Sequence, residues 1–450
     1  MPRGRLRSDR PVGGRGPPEA HLVLAGRSWV RGRLQPVEIG ISEEGRIVRL
    51  GRSLRGVHRH DVGDAVILPS STDLHVHLRE PGGPRSTESF ETGTLEAALG
   101  GVGVVADMPN TRPPIDSVER LEEKIARARG RLQVDAVFYA AATDPASIAT
   151  VSGRAGAFKL YLAPTSGLDD PPSDGSRLKG LLDAVARRGL ALSVHAEDPG
   201  RFRSPADPPP KSLLEWDAAR PLEAERGAVE RLLEVAPPEL RLHVAHVSLA
   251  SVAGRLALAG QSFEASPHHL LLSNQSELGS LGKVNPPLRS EAERLALWAE
   301  FAAGRIPIVA TDHAPHAIEE KERPFELAPS GMPGLETGVP LLLEEVRRGS
   351  LGLSVLLQAA MDRPARWLGL PVGRIAVGHR ANLLVVDFTA KRTVRAKALH
   401  APCGWSAFEG RPAIFPKEHY RDGVRFVEGG EFVGRPDGRV LRPEYAPGPP

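Results

Sequence analysis

Short apolar runs alternate with helix-like segments through the middle of the chain, from about residue 68 to residue 370. The runs are rich in Val, Ile, Leu and Ala, as is typical of strands that are buried on both faces. The segments between them repeat apolar residues at helical spacing, for example in residues 117–130 and 221–236. A strand followed by a helix, repeated about eight times, predicts an α/β fold with a parallel (β/α)8 barrel.

A doubly wound parallel sheet is the alternative for the same alternation. No G-x-G-x-x-G motif follows the first strand, and the chain contains no G-x-x-x-x-G-K-[ST] motif. Binding sites for a dinucleotide or for a P-loop nucleotide therefore lack support, and the barrel is favoured.

The two ends of the chain have a different pattern, in which short apolar runs are separated by turns that contain glycine. We expect these ends to form one small β-sandwich-like domain. The predicted organisation is a basic, disordered tail (1–18), the first part of the β-domain (19–67), the barrel (68–371) and the second part of the β-domain (372–450).

Composition and charge exclude several classes of function. The chain has 450 residues and a net charge of +3, but residues 1–18 contain five arginines and one aspartate. The remaining chain is therefore close to neutral, so a nucleic-acid-binding surface is not indicated. No apolar run reaches the length of about 18 residues that a membrane span needs. The one cysteine, Cys403, excludes an internal disulfide framework and a site of several thiolates, and we expect a cytoplasmic protein that acts on a small molecule.

Polar side chains at the ends of the predicted strands indicate a metal site. His75 and His77 are two residues apart after an apolar run, so both imidazoles can face one ion. His195, His246 and Asp312 follow three further runs. Active sites of barrel enzymes lie at this end of the strands. Nitrogen and carboxylate ligands without thiolates suit Zn²⁺, and Mn²⁺, Co²⁺ or Fe²⁺ remain open.

Lys159 also ends a predicted strand and would face the mouth of the barrel. An ordinary lysine is a cation and repels a metal ion. It can act as a ligand if it is deprotonated, or if CO2 converts its amine into an anionic carbamate that bridges two ions. A surface lysine or a salt-bridged lysine is the alternative.

The motifs and their order resemble the amidohydrolase superfamily, and more specifically the larger type of dihydroorotase, which has a barrel and a β-domain. The resemblance is carried by DLHVHLREP (73–81), DMPNTRP (107–113), the lysine strand, HAED, HVS, SPHHLLL, KVNPPLR and TDHAPH. It covers roughly residues 20–440. It implies one or two Zn²⁺ ions per chain and a carbamate on Lys159 in many members. Metal ligands are implied at His75, His77, Lys159, His195, His246 and Asp312, and Asp312 would also carry the proton.

The same resemblance implies the residues that bind the substrate. Arg79, Asn110 and His316 would hold a carboxylate, while Asn285, Pro333 and Gly334 would contact a pyrimidine ring. A guanidinium matches a carboxylate with two parallel hydrogen bonds. The alternative for Arg79 is a salt bridge to Glu80 or Glu91.

The implied reaction is the reversible, metal-dependent cyclisation of N-carbamoyl-L-aspartate to L-dihydroorotate in pyrimidine biosynthesis. Allantoinase and hydantoinase or dihydropyrimidinase are the enzymatic alternatives, because they use similar metal ligands. An inactive homologue that acts as a scaffold for aspartate carbamoyltransferase is the non-enzymatic alternative, although all six candidate ligands are present. The resemblance also implies a homodimer and leaves a complex with aspartate carbamoyltransferase open.

Overall fold

A computed structural model describes residues 19–84, 87–165, 168, 170–172, 174–204 and 206–443. The predicted basic tail, residues 1–18, lies outside the described residues. Four strands precede the barrel: β1 (Ala20–Val30), β2 (Arg33–Ile41), β3 (Ile47–Gly51) and β4 (Gly56–Pro69). After Ser70 the chain passes directly from β4 into the first strand of the barrel.

Eight parallel strands pair in sequence order and confirm the predicted barrel. A backbone bridge between Val76 and His313 joins its two edges, and the His77 N–H donates to the His313 carbonyl at 2.8 Å. The strands are β5 (Ser71–Val76), β6 (Val102–Asp107), β7 (Asp135–Ala141), β8 (Ala157–Tyr161), β9 (Ala191–His195), β10 (Arg241–Val244), β11 (Ser262–Ala265) and β12 (Ile308–Val309).

The helices lie between and after these strands. They are α1 (Phe90–Gly100), α2 (Val118–Ala128), α3 (Pro145–Val151), α4 (Gly175–Ala186), α5 (Leu213–Ala219), α6 (Leu222–Val235), α7 (Ala250–Leu258), α8 (Pro267–Leu271), α9 (Glu291–Ala302), α10 (Ile318–Lys321), α11 (Gly338–Arg348), α12 (Leu353–Leu356) and α13 (Arg363–Trp367). A π-helical segment, Leu357–Asp362, joins the last two. Side chains that accept from a backbone N–H in the first turn fix several helix starts, as Ser117 does for α2 and Asp144 for α3.

The C-terminal part adds the strands β13 (Leu383–Val386), β14 (Arg392–Thr393), β15 (Pro412–Ala413), β16 (Glu418–Arg421), β17 (Val424–Glu428) and β18 (Glu431–Phe432). Four of them continue the N-terminal sheet in the order β18-β17-β16-β13-β4-β1-β2-β3, while β14 pairs with β15. Both ends of the chain therefore build one sheet, as predicted. The last described residues return to the barrel, where the Leu441 N–H donates to the Ala136 carbonyl at 2.7 Å.

Apolar side chains pack together inside the barrel and leave one of its ends for chemistry. Trp367, Leu368 and Leu370 follow or end α13 and pack with apolar side chains of the barrel strands in one buried cluster. A larger cluster fills the layer between the strands and the surrounding helices, and burial of this surface is the main force that holds the barrel together. Among the described residues, no helix combines the length and the apolar character needed to cross a bilayer.

Candidate active site

The carboxyl ends of the barrel strands bring the six predicted ligands into one region. His75 lies in β5, Lys159 in β8 and His195 at the end of β9. His246 and Asp312 lie two and three residues beyond β10 and β12, respectively. A pocket of about 550 Å³ opens here, and its lining includes His75, His77, Arg79, Asn110, Tyr161, His195, His246, Asn285, Asp312 and His316.

His75, His77 and Asp312 form the first group of ligand atoms. The Nε2 atoms of both imidazoles lie 3.2 Å from Oδ1 of Asp312. One ligand atom from each residue lies within 4.8 Å of the others. The backbone of Asp312 has a φ of 48°, a conformation that residues other than glycine rarely adopt. Strain of this kind is concentrated at functional sites, where the surrounding fold maintains it.

Hydrogen bonds on the far side of both imidazoles fix which nitrogen faces Asp312. Nδ1 of His75 lies 2.7 Å from Oε1 of Glu264, and Nδ1 of His77 lies 2.8 Å from Oδ1 of Asn110. Both partners are acceptors, so each Nδ1 carries the proton and each Nε2 keeps its lone pair. Two lone pairs that face one carboxylate oxygen at 3.2 Å repel it unless a cation lies between them. This donor set therefore fits a metal ion.

Lys159, His195 and His246 form the second group. Nζ of Lys159 lies 3.4 Å from Nε2 of His75, and Nδ1 of His195 lies 3.0 Å from Nε2 of His246. Nδ1 of His246 is buried and has no hydrogen-bond partner among the described residues. The two ring nitrogens that face each other, Nδ1 of His195 and Nε2 of His246, fit one side of a second ion.

A buried ion pair orients His195. Its Nε2 donates to Oε2 of Glu197 at 2.9 Å, and Glu197 also forms two hydrogen bonds with the guanidinium of Arg220. The guanidinium carbon of Arg220 lies 4.0 Å from the ring centre of Phe202. A carboxylate behind a ligating histidine fixes the ring and increases its basicity.

The electrostatics of the site favour metal ligation. Burial lowers the pKa of His77 to about 3, and burial is also the main cause that lowers the pKa values of His195 and His246. Neutral imidazole is the form that binds metal. Burial lowers the pKa of Lys159 to about 8.

Arg79 has no carboxylate partner among the described residues. Its Nε donates to the Pro315 carbonyl at 3.2 Å, and its Nη2 lies 3.1 Å from Nε2 of His316. The alternative salt bridge is wrong, since the side chains of both Glu80 and Glu91 pair with Arg131. A guanidinium that lines a pocket without a counter-charge is suited to an anionic ligand.

Of the three residues predicted to contact the substrate ring, one lines the pocket and two do not. Asn285 lines the pocket, and its buried Oδ1 has no hydrogen-bond partner among the described residues. Pro333 and Gly334 lie outside the pocket lining; Ser330 and Gly331 line it instead. The Gly334 N–H donates to Nδ1 of His313 at 3.2 Å. The segment that lines the pocket thus begins three residues earlier than the sequence indicated.

A buried lysine holds this segment. Nζ of Lys321 donates to the carbonyls of Pro329 at 2.9 Å and Gly331 at 3.0 Å, on either side of Ser330. The carbonyl of Ser330 lies 3.0 Å from Nε2 of His316. Lys321 is fully buried, and burial lowers its pKa to about 7. Lys321 therefore fixes the backbone segment whose Ser330 carbonyl contacts His316.

Sequence reasoning missed Glu197, Glu264 and Lys321. Glu264 bridges two histidines, because its Oε1 lies 2.7 Å from Nδ1 of His75 and its Oε2 lies 3.0 Å from Nε2 of His243. The signal for Glu264 was a charged residue inside the apolar strand β11, and the signal for Glu197 was an acid two residues beyond His195. No local signal identifies Lys321, because its partners are backbone carbonyls.

Comparisons with known proteins show which family the chain resembles. The family model described as "Dihydro-orotase-like" matches residues 64–159. The chain is 38% identical to the dihydroorotase of Halobacterium salinarum, over 88% of this chain and 94% of that protein. It is 35% identical to the dihydroorotase of Archaeoglobus fulgidus, over 90% of this chain and 97% of that protein.

Solved structures of cyclic amide hydrolases share the fold. The L-hydantoinase (dihydropyrimidinase) of Arthrobacter aurescens superimposes with a TM-score of 0.86 and 25% identity, over 94% of this chain and 100% of that one. The dihydropyrimidinase of Brevibacillus agri gives a TM-score of 0.83 and 24% identity, over 94% and 99%. The second likeness concerns the fold alone.

Proposed function

The chain belongs to the dihydroorotase family, and from this premise we propose that it interconverts N-carbamoyl-L-aspartate and L-dihydroorotate. Ring closure forms an amide bond and releases water, and the reverse reaction hydrolyses that bond. The enzyme is a cyclic amide hydrolase, as its relatives are. Its place is in pyrimidine biosynthesis, where this step closes the six-membered ring.

The observation that carries the choice of substrate is the guanidinium of Arg79, which has no carboxylate partner among the described residues. Hydantoin and allantoin carry no carboxylate, so neither would neutralise this charge. Dihydroorotate carries a carboxylate beside the ring, which can accept both hydrogen bonds of the guanidinium fork. His316 lies 3.1 Å from Arg79 and completes the subsite. A pocket with a proposed metal centre and a guanidinium that has no carboxylate partner among the described residues fits a cyclic amide with an attached carboxylate.

We further propose that His75, His77 and Asp312 hold one Zn²⁺ ion and that His195 and His246 hold a second. Lys159, as a carbamate, would also ligate the metal, since its Nζ lies 3.4 Å from Nε2 of His75. The buried Cys403 is outside the pocket lining, so nitrogen and oxygen ligands alone are available. When bound, the metal supplies the Lewis acidity that activates water and polarises the amide carbonyl.

The side chains of this chain position the substrate and move one proton. Arg79 and His316 hold the carboxylate, and Oδ1 of Asn285 accepts a ring N–H. In hydrolysis, a carboxylate oxygen of Asp312 takes the proton of the attacking water and delivers it to the leaving ring nitrogen. Ring closure reverses these steps. Asn110 fixes the ring of His77 through the 2.8 Å contact, and its role in holding the carboxylate stays a prediction.

Turnover of three cyclic amides tests the proposed substrate. We expect the purified protein to hydrolyse L-dihydroorotate with a kcat/KM at least about 100-fold above those for hydantoin and allantoin, since an unpaired Arg79 would remain charged and desolvated with the latter two. Formation of dihydroorotate from N-carbamoyl-L-aspartate should be measurable with the same preparation. A preference for hydantoin or allantoin would contradict the assignment.

Metal analysis and native mass spectrometry test the metal centre. We expect one or two Zn²⁺ ions per chain and an added mass of about 44 Da for a carbamate, which acid treatment should remove. The peptide that contains the exposed Lys179 is the internal control and should keep its unmodified mass. A zinc-loaded protein without the added mass at neutral pH would exclude the carbamate. Failure to bind any divalent ion would exclude the centre.

The resemblance supports two further parts of the proposal, a homodimer and an association with aspartate carbamoyltransferase. The composition of the chain supports a third, a cytoplasmic location. The inactive-scaffold alternative loses support from the site, because all six proposed ligands converge on one pocket region with their supporting hydrogen bonds.

A further inference from the structure

The hydroxyl group of Tyr161 is buried at the pocket and has no hydrogen-bond partner in the part of the chain that the structure describes. Tyr161 is 7% exposed and lines the pocket, and no described residue accepts or donates a hydrogen bond at its oxygen. A buried hydroxyl without a partner is unfavourable, because it loses its hydrogen bonds to water and gains none. Phenylalanine would fill the same space without this cost. The hydroxyl therefore indicates that its partner arrives with a ligand.

The strand places Tyr161 at the metal end of the pocket. Lys159 and Tyr161 are two residues apart in β8, so both side chains point to the interior of the barrel. Nζ of Lys159 lies 5.3 Å from the centre of the tyrosine ring, and the ring of His195 lies 6.1 Å away. Two proposed metal ligands are thus neighbours of the ring, and Arg79 lines the same pocket.

We propose that Tyr161 is a further catalytic residue, whose hydroxyl donates a hydrogen bond to the carbonyl oxygen of the amide that opens and closes. This inference rests on the proposed function. The amide must lie at the metal end while the carboxylate lies at Arg79, so the amide oxygen can reach the hydroxyl. Negative charge develops on this oxygen in the transition state, and a donor that is already in place stabilises it without reorganisation.

Replacement of Tyr161 by phenylalanine tests the proposal, since it removes the hydroxyl and keeps the ring. We expect kcat to fall about 10- to 100-fold while KM changes by less than about threefold, because the bond is strongest in the transition state. Metal content should stay the same. The melting temperature should be equal or higher, because the variant no longer buries an unpaired hydroxyl.

Tyr420→Phe is the matched control. The Tyr420 hydroxyl is also buried, but it donates to Oε2 of Glu418 at 2.6 Å in the β-domain. We expect the opposite pattern there: a lower melting temperature and unchanged kinetics. This pair separates a catalytic hydroxyl from a structural one.

Three results would overturn the proposal for Tyr161→Phe. They are a kcat within twofold of the parent enzyme, a loss that appears in KM alone, and a loss of activity that parallels a loss of bound metal. The variant and the parent are compared on whichever cyclic amide the parent hydrolyses best. A failure of the dihydroorotase assignment would change the substrate used, whereas a failure of this inference would leave the parent active and the variant equally active.

Discussion

The variant Asp312→Asn is expected to lower kcat for dihydroorotate by about 1,000-fold or more in both directions. Asparagine keeps the shape of the side chain, but it is neutral and cannot take up a proton at the same oxygen. Loss of general acid–base catalysis alone costs about 10²- to 10⁴-fold. The Nε2 atoms of His75 and His77 would also lose the carboxylate that lies 3.2 Å from both. Steady-state kinetics of ring opening and ring closure measure the effect.

Asp61→Asn is the control for this experiment, because it makes the same chemical change at an exposed position of β4. It should leave kcat unchanged, and both variants should show the circular dichroism spectrum of the parent. A kcat for Asp312→Asn within tenfold of the parent would assign the proton transfer to another group. Growth of a dihydroorotase-deficient host on the inactive variant would favour the scaffold alternative instead.

Most of the fold could be predicted, because hydrophobic periodicity reports burial directly. The segments predicted as helices, residues 117–130 and 221–236, contain α2 and α6. The apolar run that ends at Asp312 predicted the last barrel strand less well, because that strand, β12, has only two residues, Ile308–Val309. The barrel closes there through the bridge between Val76 and His313. Closure depends on residues more than 200 positions apart, which no local pattern specifies.

The candidate ligands could be predicted because strand ends in a barrel share one edge. The residues behind them could not, because their partners are remote in sequence. Glu264 and His75 are 189 positions apart, and the pattern around Glu264 says only that a charge is buried. Asn110 was predicted from the resemblance as a carboxylate ligand, yet its Oδ1 lies 2.8 Å from His77. A sequence motif identifies the residue, but the fold decides which neighbour it contacts.

The segment from Ser330 to Gly334 shows the same limit in a loop. Its side of the pocket is set by Lys321, which donates to two backbone carbonyls, and by His313, which accepts the N–H groups of Gly334 and Leu335. Backbone groups carry no sequence information. The register of this loop against the pocket therefore follows from tertiary contacts, and the role of Pro333 and Gly334 as ring contacts stays a prediction.

The variant Arg79→Met is expected to lower kcat/KM for dihydroorotate by about 100- to 1,000-fold, mainly through KM. Methionine keeps part of the apolar stem and removes the guanidinium, so the substrate carboxylate would be desolvated without a counter-charge. Truncating one partner of a buried charge pair costs about 2–5 kcal/mol, which corresponds to about 30- to 5,000-fold in affinity. Initial rates over a range of dihydroorotate concentrations separate KM from kcat.

Assays of Arg79→Met with hydantoin as the substrate test specificity as well as affinity. A ring without a carboxylate gains nothing from Arg79, so its kcat/KM should be unchanged or higher in Arg79→Met, and the preference for dihydroorotate should shrink by the same factor. Arg79→Lys should give an intermediate loss, because a lysine keeps the charge but not the fork. Arg255 lies on α7 and forms an exposed ion pair with Glu230 of α6. The variant Arg255→Met should therefore behave as the parent. Equal losses on dihydroorotate and hydantoin would show that Arg79 supports the pocket as a whole, and the unpaired charge would then no longer identify the substrate.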